Sequence, residues 1–521
     1  MKRLIKFLPK LVMLCFVCLL VLALVACGED NGGSQGNGGN SGQGGNGGNS
    51  GQGGEHQWTE NELFWDADKN GTPDWQEKEI TLTYATWQWV DPEVVTIDTL
   101  MLNAFMEKYP NIHVEMMPVG EDYEFETNLI TRLAASEEEN QLPDVFLINR
   151  LENLLPYGLL ADIGSFFDHD DDAKYMFDSL KNLGLYEGKR YCLPTFIYPE
   201  LWIVNKDLLA SCNISAPKYD WTWEQMESIA KAVYEARGTE HKIGIYGTDE
   251  YYFELPKVLK MKSDPAEGAK WLAVGFDGSK FNFDDLAFIN AMAKMEEGMA
   301  EGWLVNAIDA DTLAAWYGST DDPRYSGQVA MWHEPAWSFK NVMADLLFDW
   351  DVYPGPSGVT GGNTDIAGVS QLCENKAAAY QLLKWMSFDQ DGIITRYDLY
   401  DKYSTELYMS ANNYPYPVSD YGYNGQGENL IWDHIPYAVT APGYGAVEFP
   451  ESLRNGAIKA NKEIVAWDAG ENTFKAENYL GAIIMGEAHY ATLYETIQDA
   501  AAQAYSLRKQ ALADAIAGQT N

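Results

Sequence analysis

An alternation of strand and helix patterns between residues 80 and 148 constrains the fold more than any other feature. Residues 80–86 alternate apolar and polar side chains as a strand does, whereas the segments between the predicted strands place apolar side chains at helical spacing. The sequence predicts strands over residues 80–86, 113–117 and 144–148, and helices over residues 94–109 and 123–135. Because such units close with right-handed crossovers, we expect an α/β fold with parallel-rich sheets flanked by helices.

The same pattern directs attention to residues that follow the predicted strands. Ligands of open α/β sheets bind beyond the carboxyl ends of the strands. The aromatic and polar residues at these positions are Trp87, Trp89, Glu121, Tyr123, Asn149 and Arg150. We expect them to contact a ligand, while Asp144, which starts a strand, should have a structural role.

The first 27 residues have the layout of a secretion signal. A basic start is followed by an apolar run over residues 11–25, which is too short for an ordinary membrane span, and then by Cys27. This segment resembles a bacterial lipoprotein signal peptide, which implies cleavage before Cys27 and attachment of lipid, including palmitate, to that cysteine. An uncleaved signal anchor is the alternative. The expected location is the outer face of the membrane of a Gram-positive cell, with a periplasmic lipoprotein as the other possibility.

Residues 28–54 consist almost wholly of Gly, Asn, Ser and Gln, so they lack the apolar surface needed to offset the entropy of ordering. We interpret them as a tether. The remaining chain is too long for one average domain, and with 46% hydrophobic residues it can build a large core, so we expect two lobes. The net charge of −41 becomes −45 when the four basic residues of the signal are removed. This balance argues against a nucleic-acid partner.

Cysteine and histidine patterns give no sign of catalysis. Cys192, Cys212 and Cys373 remain in the body of the chain without metal-like spacing, so we expect no disulfide framework, although Cys192 and Cys212 could pair. Motifs of metalloproteases and phosphate-binding loops are absent from the sequence. We therefore expect no enzymatic activity.

One short segment has the pattern of a calcium loop. Oxygen ligands fall at positions 1, 3, 5, 7, 9 and 12, with Gly71 at position 6. The predicted ligands of a structural Ca²⁺ are Asp66, Asp68, Asn70, Thr72, Asp74 and Glu77. A metal-free turn is the alternative. Since no long helices are predicted beside the loop, it should stiffen the join between tether and body rather than act as a sensor.

Several short motifs follow one another in an order with a counterpart in a known family. They are Pro143-Asp-Val145, Gly158-Leu-Leu-Ala-Asp162, residues 186–194, Asn205-Lys-Asp-Leu208, Trp221-Thr-Trp-Glu-Gln225, Gly327-Gln-Val-Ala-Met331 with Trp337, Pro354-Gly-Pro356, Gly368-Val-Ser370 and the predicted helix from Lys376 to Phe388. The order resembles that of the extracellular solute-binding proteins of family 1, the maltose-binding-protein-like carbohydrate receptors of ABC importers. Val204 departs from the tyrosine usual in that family.

The resemblance implies two lobes joined by crossing strands, near residues 194–204 and 365–372, that close on a ligand. Together with the segments described above, the expected divisions are a signal over 1–27, a tether over 28–54, the calcium-loop segment over 55–79, lobe 1 over 80–197, lobe 2 over 198–367, a return to lobe 1 over 368–430, and a C-terminal helical region over 431–521 that belongs to lobe 2. By position in the family, further ligand contacts are expected at Tyr198, Trp202, Glu250, Tyr252, Trp332, Glu334, Trp337 and Asp365.

The expected function is capture of a carbohydrate, such as an oligosaccharide, by a monomer that presents it to the permease subunits of an ABC importer. Aromatic rings suit the C–H faces of sugars, and polar side chains suit their hydroxyls. A secreted glycoside-active enzyme and a non-transport polysaccharide-binding surface protein are the two rival interpretations.

Overall fold

The computed structural model describes residues 63–66, 68–87, 94–120, 122–133, 142–178, 180–338, 346–403, 417–419 and 479–519. The predictions for Cys27, the tether, Trp89 and Glu121 lie outside these residues. The side chains of Tyr123 and Trp337 also lie outside the description. Among the described helices, none combines the length and apolar character required to traverse a bilayer.

The strands are β1 (Ile80–Ala85), β2 (Ile112–Met116), β3 (Val145–Ile148), β4 (Leu185–Tyr186), β5 (Lys189–Arg190), β6 (Leu193–Asn205), β7 (Ile243–Tyr246), β8 (Leu304–Val305), β9 (Val329–Pro335), β10 (Trp350–Tyr353) and β11 (Gly362–Val369). The helices are α1 (Asp74–Glu77), α2 (Ile97–Lys108), α3 (Asp122–Leu133), α4 (Leu151–Leu154), α5 (Gly164–Asp168), α6 (Lys206–Ser211), α7 (Trp223–Ala236), α8 (Glu250–Phe253), α9 (Leu255–Ser263), α10 (Pro265–Lys270), α11 (Leu286–Glu301), α12 (Ala310–Tyr317), α13 (Lys376–Met386), α14 (Gln390–Lys402), α15 (Tyr479–Ile484) and α16 (Tyr494–Gln519).

The first three strands form the predicted βαβαβ unit. β1 pairs in parallel with both β2 and β3, and α2 and α3 provide the crossovers. Thr96 starts α2 through a capping box, in which its side chain accepts a hydrogen bond from the Thr99 backbone and its own backbone donates to the Thr99 side chain. The predicted α/β class is confirmed, with each strand boundary within one residue of its predicted position.

Two long strands, β6 and β11, lie in the middle of the sheet. They connect a first strand group, β1–β3, with a second strand group, β7–β9. The described strands follow the order β2-β1-β3-β11-β6-β9-β7-β8, with β10 also paired to β6. The first half of β6 pairs with β11, and its second half pairs with β9 and β10. β11 in turn pairs with β3. Both strands coincide with the predicted crossings, whereas the proposed lobe boundaries remain a prediction.

Side chains alternate along the shared strands and build a core on each face of the sheet. Leu201 and Ile203 of β6 belong to one buried cluster, whereas Trp202 and Val204 belong to the other. Because strand side chains point alternately to opposite faces, helices must cover both sides. This alternation also decides which polar residues of β6, β9 and β11 can meet.

The C-terminal helix α16 packs on the segment that precedes α11. Tyr505 lies against the rings of Phe276 and Phe281, and the Gln498 side chain both accepts from the Phe283 backbone N–H and donates to the Phe281 carbonyl. Backbone groups of an irregular segment need such partners when they are buried. Within the described residues, the predicted C-terminal helical region over 431–521 corresponds to α15 and α16.

Candidate functional site

One face of the shared strands gathers aromatic and polar side chains, and we call it the crossing face. It is formed by Phe196, Tyr198, Glu200 and Trp202 of β6, His333 of β9, and Asn363 and Asp365 of β11. The register explains the grouping, since Asn363 lies opposite Tyr198, Asp365 opposite Phe196, and His333 opposite Trp202. A β-bulge between Asp365 and Ile366 ends this pattern on β11.

Three ionisable side chains meet at one end of the crossing face, and we call them the Glu200 triad. The His333 Nδ1 lies 3.3 Å from an oxygen of Glu200 and 3.2 Å from an oxygen of Glu250, the first residue of α8. The three ligand atoms lie within 4.8 Å of one another. Glu200 and Glu250 are 6% and 2% exposed, so both carboxylates are held in the interior.

Neighbouring side chains fix the orientation of the triad. Asn363 Nδ2 donates a hydrogen bond of 2.6 Å to Glu200 Oε1, leaving Glu200 Oε2 as the atom nearest His333. The edge of Trp202 contacts the imidazole, with ring centroids 5.6 Å apart and planes at 74°. Glu254 accepts a 2.5 Å hydrogen bond from the Gly361 backbone, directly before β11. The crossing strands and α8 are therefore joined by buried polar contacts.

A second buried ionic group lies towards the other end of the crossing face. Asp98 of α2 is 4% exposed and Arg396 of α14 is 5% exposed. Burial raises the pKa of the Asp98 carboxyl, although the positive charge of Arg396 acts in the opposite direction. The Arg396 guanidinium also lies 5.2 Å from the centre of the Phe196 ring, a cation–π contact. Phe196 and Tyr198 thus lie between two ionic groups.

Trp332 and Glu334 do not join the crossing face. They occupy β9 on either side of His333, so the period of two turns them to the opposite face of the sheet. There the Glu334 carboxylate accepts from Trp332 Nε1 at 3.2 Å and from Arg324 Nη1 at 3.3 Å. Burial raises the pKa of Glu334. In this structure Trp332 is 0% exposed, so it acts as a core residue and presents no ring to a ligand.

The other predicted contacts in this region differ in their exposure. Trp202 is only 1% exposed and lies edge-on to Trp221 and Trp223, so its ring too is part of the core. Tyr198 is 7% exposed and packs edge-on against Phe196 at 5.0 Å. Tyr252 is buried, and its hydroxyl donates to Asp249. Asp365 is half-buried on the crossing face.

Asn149 and Arg150, which follow β3, contact the carboxylate of Glu126, a residue that the sequence pattern did not predict as part of the site. Glu126 of α3 accepts hydrogen bonds from the backbone N–H groups of Asn149 and Arg150, at 2.8 and 2.7 Å. The Arg150 side chain is exposed, whereas Trp87 is half-buried and meets Phe125 edge-on at 5.8 Å. The prediction that Asp144 is structural is confirmed, since its carboxylate accepts from both the backbone and the hydroxyl of Thr83.

Sequence reasoning missed Glu200, His333 and Asn363, although a signal was present. Glu200 falls two residues after Tyr198 on a predicted crossing strand, and strict alternation would have placed both on one face. The same rule would have separated His333 from Trp332 and Glu334. The partner from β11 had no such signal, because register between distant strands is not encoded locally.

Hydrogen bonds connect the residues of the predicted calcium loop to one another. The Asp66 carboxylate accepts from the backbone N–H groups of Asn70 and Gly71, at 3.1 and 2.7 Å. The Gly71 N–H lowers the pKa of Asp66. Gly71 has a φ of 92°, which favours glycine at this sharp bend. Asn70 Nδ2 donates to Glu77 Oε1 at 2.5 Å, so positions 5 and 12 of the loop are adjacent.

Hydrogen bonds of Asn111, the residue before β2, connect the end of the loop to β1. Asn111 Nδ2 donates to the carbonyls of Trp75 and Lys78 at the end of the loop, and the Asn111 carbonyl accepts from the first residue of β1. Trp75 is buried against Tyr109. The three described cysteines are free thiols, with Cys192 and Cys373 buried and Cys212 half-buried.

Comparison with known proteins yields one family and many similar structures. A family model described as bacterial extracellular solute-binding protein matches residues 91–392, more than half of the chain. An ABC substrate-binding protein of Listeria monocytogenes in complex with cycloalternan has 20% sequence identity and a TM-score of 0.53, with 81% of this chain and 98% of that chain covered.

Two further structures show the same fold. A sugar transporter of Rhizobium etli in an open conformation has 17% identity and a TM-score of 0.59, covering 81% of this chain and 98% of the other. A cyclic alpha-maltosyl-1,6-maltose binding protein of Arthrobacter globiformis has 17% identity and a TM-score of 0.58, covering 82% of this chain and 99% of the other. The predicted two-lobe fold class is confirmed by these likenesses.

Proposed function

The chain belongs to the bacterial extracellular solute-binding proteins, and from that membership we propose that it captures a carbohydrate for an ABC importer. The crossing face is the observation on which this proposal rests. It combines aromatic rings with buried polar groups on the two strands that both halves of the sheet share. The relatives from Listeria monocytogenes and Arthrobacter globiformis, which bind cyclic oligosaccharides, favour a glucan-like oligosaccharide as the ligand.

The chemistry of the crossing face suits a sugar. Phe196 and Tyr198 form an edge-on pair, and the polar groups of Glu200, Asn363 and Asp365 flank them. Sugars present apolar C–H faces with a rim of hydroxyls, so rings and planar polar groups together can hold and orient them. From Phe196 to Glu200 the strand extends about 13 Å, which gives room for more than one sugar ring.

Capture requires the strand group β1–β3 and the strand group β7–β9 to move apart about the shared strands β6 and β11. Phe196 and Tyr198 are 8% and 7% exposed in this structure, so a ligand reaches them only when the crossing opens. Domain closure around a ligand uses a few hinge residues, and the ligand shifts the equilibrium by its differential affinity for the closed form. No covalent step is involved in this mechanism. Cys27 would carry the lipid that keeps the receptor near the permease.

A calorimetric titration against a panel of linear and cyclic glucans tests the proposal. We expect one ligand class to bind at one site per chain and to make the protein more compact in solution scattering. Phe196→Ala and Tyr198→Ala, which each remove one ring of the crossing face, should weaken binding at least tenfold. The matched control is Trp316→Ala, which removes a half-exposed ring stacked on His241, beside the edge strand β8, and should leave affinity unchanged.

Two outcomes would contradict the proposal. Uniform absence of heat across the panel would remove the carbohydrate assignment, and release of shorter sugars on incubation would favour the enzyme interpretation. Binding that survives both ring substitutions would place the ligand away from the crossing face.

We also propose that the loop over residues 66–77 holds a structural Ca²⁺. Asp66, Asp68, Asn70, Asp74 and Glu77 would supply side-chain oxygens and Thr72 its carbonyl, a set that suits a hard cation. The adjacency of Asn70 and Glu77 supports this assignment. Because Asn111 joins the end of the loop to the first strand group, a bound ion would stiffen the entry into the folded body.

Terbium luminescence tests the calcium site directly. Trp65 and Trp75 lie beside or within the loop and can sensitise a bound Tb³⁺. We expect emission on excitation of tryptophan, displacement by Ca²⁺, and loss of the signal in Asp66→Asn and in Glu77→Gln. Asp122→Asn, outside the loop, is the control. Emission that persists in both loop variants would refute the site.

A further inference from the structure

We propose that the Glu200 triad binds a divalent first-row transition cation, for which zinc is the best candidate. The ligands are one carboxylate oxygen from Glu200, one from Glu250 and Nδ1 of His333. They come from β6, α8 and β9, so the ion would join the shared strand to an adjacent helix and strand. The inference does not rest on the proposed carbohydrate or on the calcium loop, although Glu200 and Asn363 also belong to the face that is proposed to hold the sugar.

The donor set has the composition of a zinc site with an open position. Imidazole nitrogen and carboxylate oxygen are ordinary zinc ligands, and three protein ligands plus water is a common arrangement. A site with an imidazole discriminates against Ca²⁺ and Mg²⁺, which prefer oxygen ligands alone. Within the described residues, this is the one group of three His, Cys, Asp or Glu side chains whose ligand atoms come this close together.

The distances within the triad suit a shared ion. A charge-assisted hydrogen bond between nitrogen and carboxylate is about 2.7–2.9 Å long, whereas both contacts of His333 Nδ1 are longer, at 3.2 and 3.3 Å. A single Nδ1 hydrogen also cannot point well at two acceptors. Ligand atoms bound tetrahedrally at about 2.0–2.2 Å are separated by about 3.3–3.6 Å, close to the two spacings from His333 Nδ1, and all three ligand atoms lie within 4.8 Å of one another.

Side chains next to the Glu200 triad hold its ligand residues in a fixed orientation. Asn363 Nδ2 holds Glu200 Oε1, and this contact orients the carboxylate so that its second oxygen faces His333. The edge of Trp202 restricts rotation of the imidazole. Outer contacts of this kind are typical of metal sites, where they orient the ligands and raise their affinity.

Charge balance points in the same direction. Two carboxylates that are 6% and 2% exposed lie beside one imidazole, so these three side chains by themselves carry at most one positive charge against two negative ones. A divalent cation neutralises both carboxylates and leaves the imidazole neutral, its metal-binding form. Burial of charge is much less costly when the charges are paired in this way.

Cobalt substitution and calorimetry with zinc test the proposal on the purified protein in saturating Ca²⁺, which keeps the loop over residues 66–77 occupied. We expect one zinc per chain, and visible absorption bands of tetrahedral cobalt at the same stoichiometry. Glu250→Gln and His333→Gln should lower zinc affinity at least 100-fold, and Asn363→Ala should lower it about 10–100-fold because it removes an outer contact. The matched control is Glu334→Gln, which changes the next residue of the same strand on its opposite face and should leave zinc affinity unchanged.

X-ray absorption of the zinc-loaded wild-type protein keeps the test independent of variant folding. One imidazole and only nitrogen or oxygen neighbours are expected around the ion. Absence of a one-site isotherm, a zinc shell without imidazole, or undiminished affinity in both Glu250→Gln and His333→Gln would overturn the proposal. Loss of carbohydrate binding alone would not, because the zinc measurements contain no sugar.

Discussion

Lys257 should make the stability of this protein rise between neutral and alkaline pH. The side chain lies on α9 with 4% exposure, and burial lowers the pKa of its ammonium group to about 8, against an ordinary value of 10.5. Glu254 opposes the shift without cancelling it. The Lys257 Nζ donates a hydrogen bond of 2.7 Å to the Trp271 carbonyl. The folded state therefore holds a lysine proton less tightly than the unfolded chain does.

The sign of the effect follows from proton binding in the two states. Below pH 8 both states hold the proton, and the folded state bears the full cost of the buried charge, about 3 kcal/mol from the difference in pKa. Above pH 8 the folded state loses the proton while the unfolded chain keeps it, so the free energy of unfolding rises with pH. The expected gain is about 2 kcal/mol between roughly pH 7 and 9.5.

Replacing Lys257 with Met removes this pH dependence. At neutral pH the variant should gain about 1–2 kcal/mol in stability, because removal of the buried charge outweighs the loss of one partner of the Trp271 carbonyl, about 1–2 kcal/mol. Urea unfolding followed by tryptophan fluorescence at several pH values measures the difference in slope. The control is Lys270→Met, which removes an exposed lysine paired with Glu267. Equal slopes in the wild type and Lys257→Met would refute the reasoning.

Two other substitutions test the packing that positions the crossing face. Gly368→Ala places a methyl group 2.7 Å from the Tyr191 carbonyl oxygen, so it should destabilise the protein by about 1–3 kcal/mol in thermal or urea unfolding, whereas Gly362→Ala on the same strand meets its nearest atom at 3.3 Å and should cost less. Equal costs would argue against a close approach of the strands at Gly368. Asp144→Asn weakens the contacts with the backbone and hydroxyl of Thr83 and should lower the free energy of unfolding by about 1–2 kcal/mol, measured by urea unfolding. No change in that measurement would show that the contacts contribute nothing.

The α/β unit was predictable because its signal is local, whereas the two shared strands were predictable from the family resemblance. Apolar periodicity over residues 80–148 distinguishes helix from strand without any knowledge of partners, and the strand boundaries agree within one residue. Order along the chain and family resemblance then placed the crossings near β6 and β11. Only the first of these predictions depends on residues close together in sequence.

The site was less predictable because it depends on register between distant strands. Asn363 meets Tyr198 and Glu200 across more than 160 residues, and no local pattern encodes that pairing. Trp332 and Glu334 were predicted as ligand contacts from their place in an aromatic and acidic motif. The one-residue alternation along β9 instead turns His333 to the crossing face and its two neighbours away from it.

This alternation lets one short segment serve two separate tasks. On one face of β9, Glu334 accepts hydrogen bonds from Trp332 and Arg324 and belongs to a network in the interior. On the other face, His333 reaches two carboxylates that belong to β6 and α8. Since adjacent residues of a strand do not share an environment, Glu334→Gln and His333→Gln should have separable effects. The first should reduce stability without changing zinc affinity, and the second should abolish zinc binding with a smaller loss of stability in the absence of metal. If both variants changed the same measurement equally, the two faces would be coupled, and the assignment of separate tasks to them would fail.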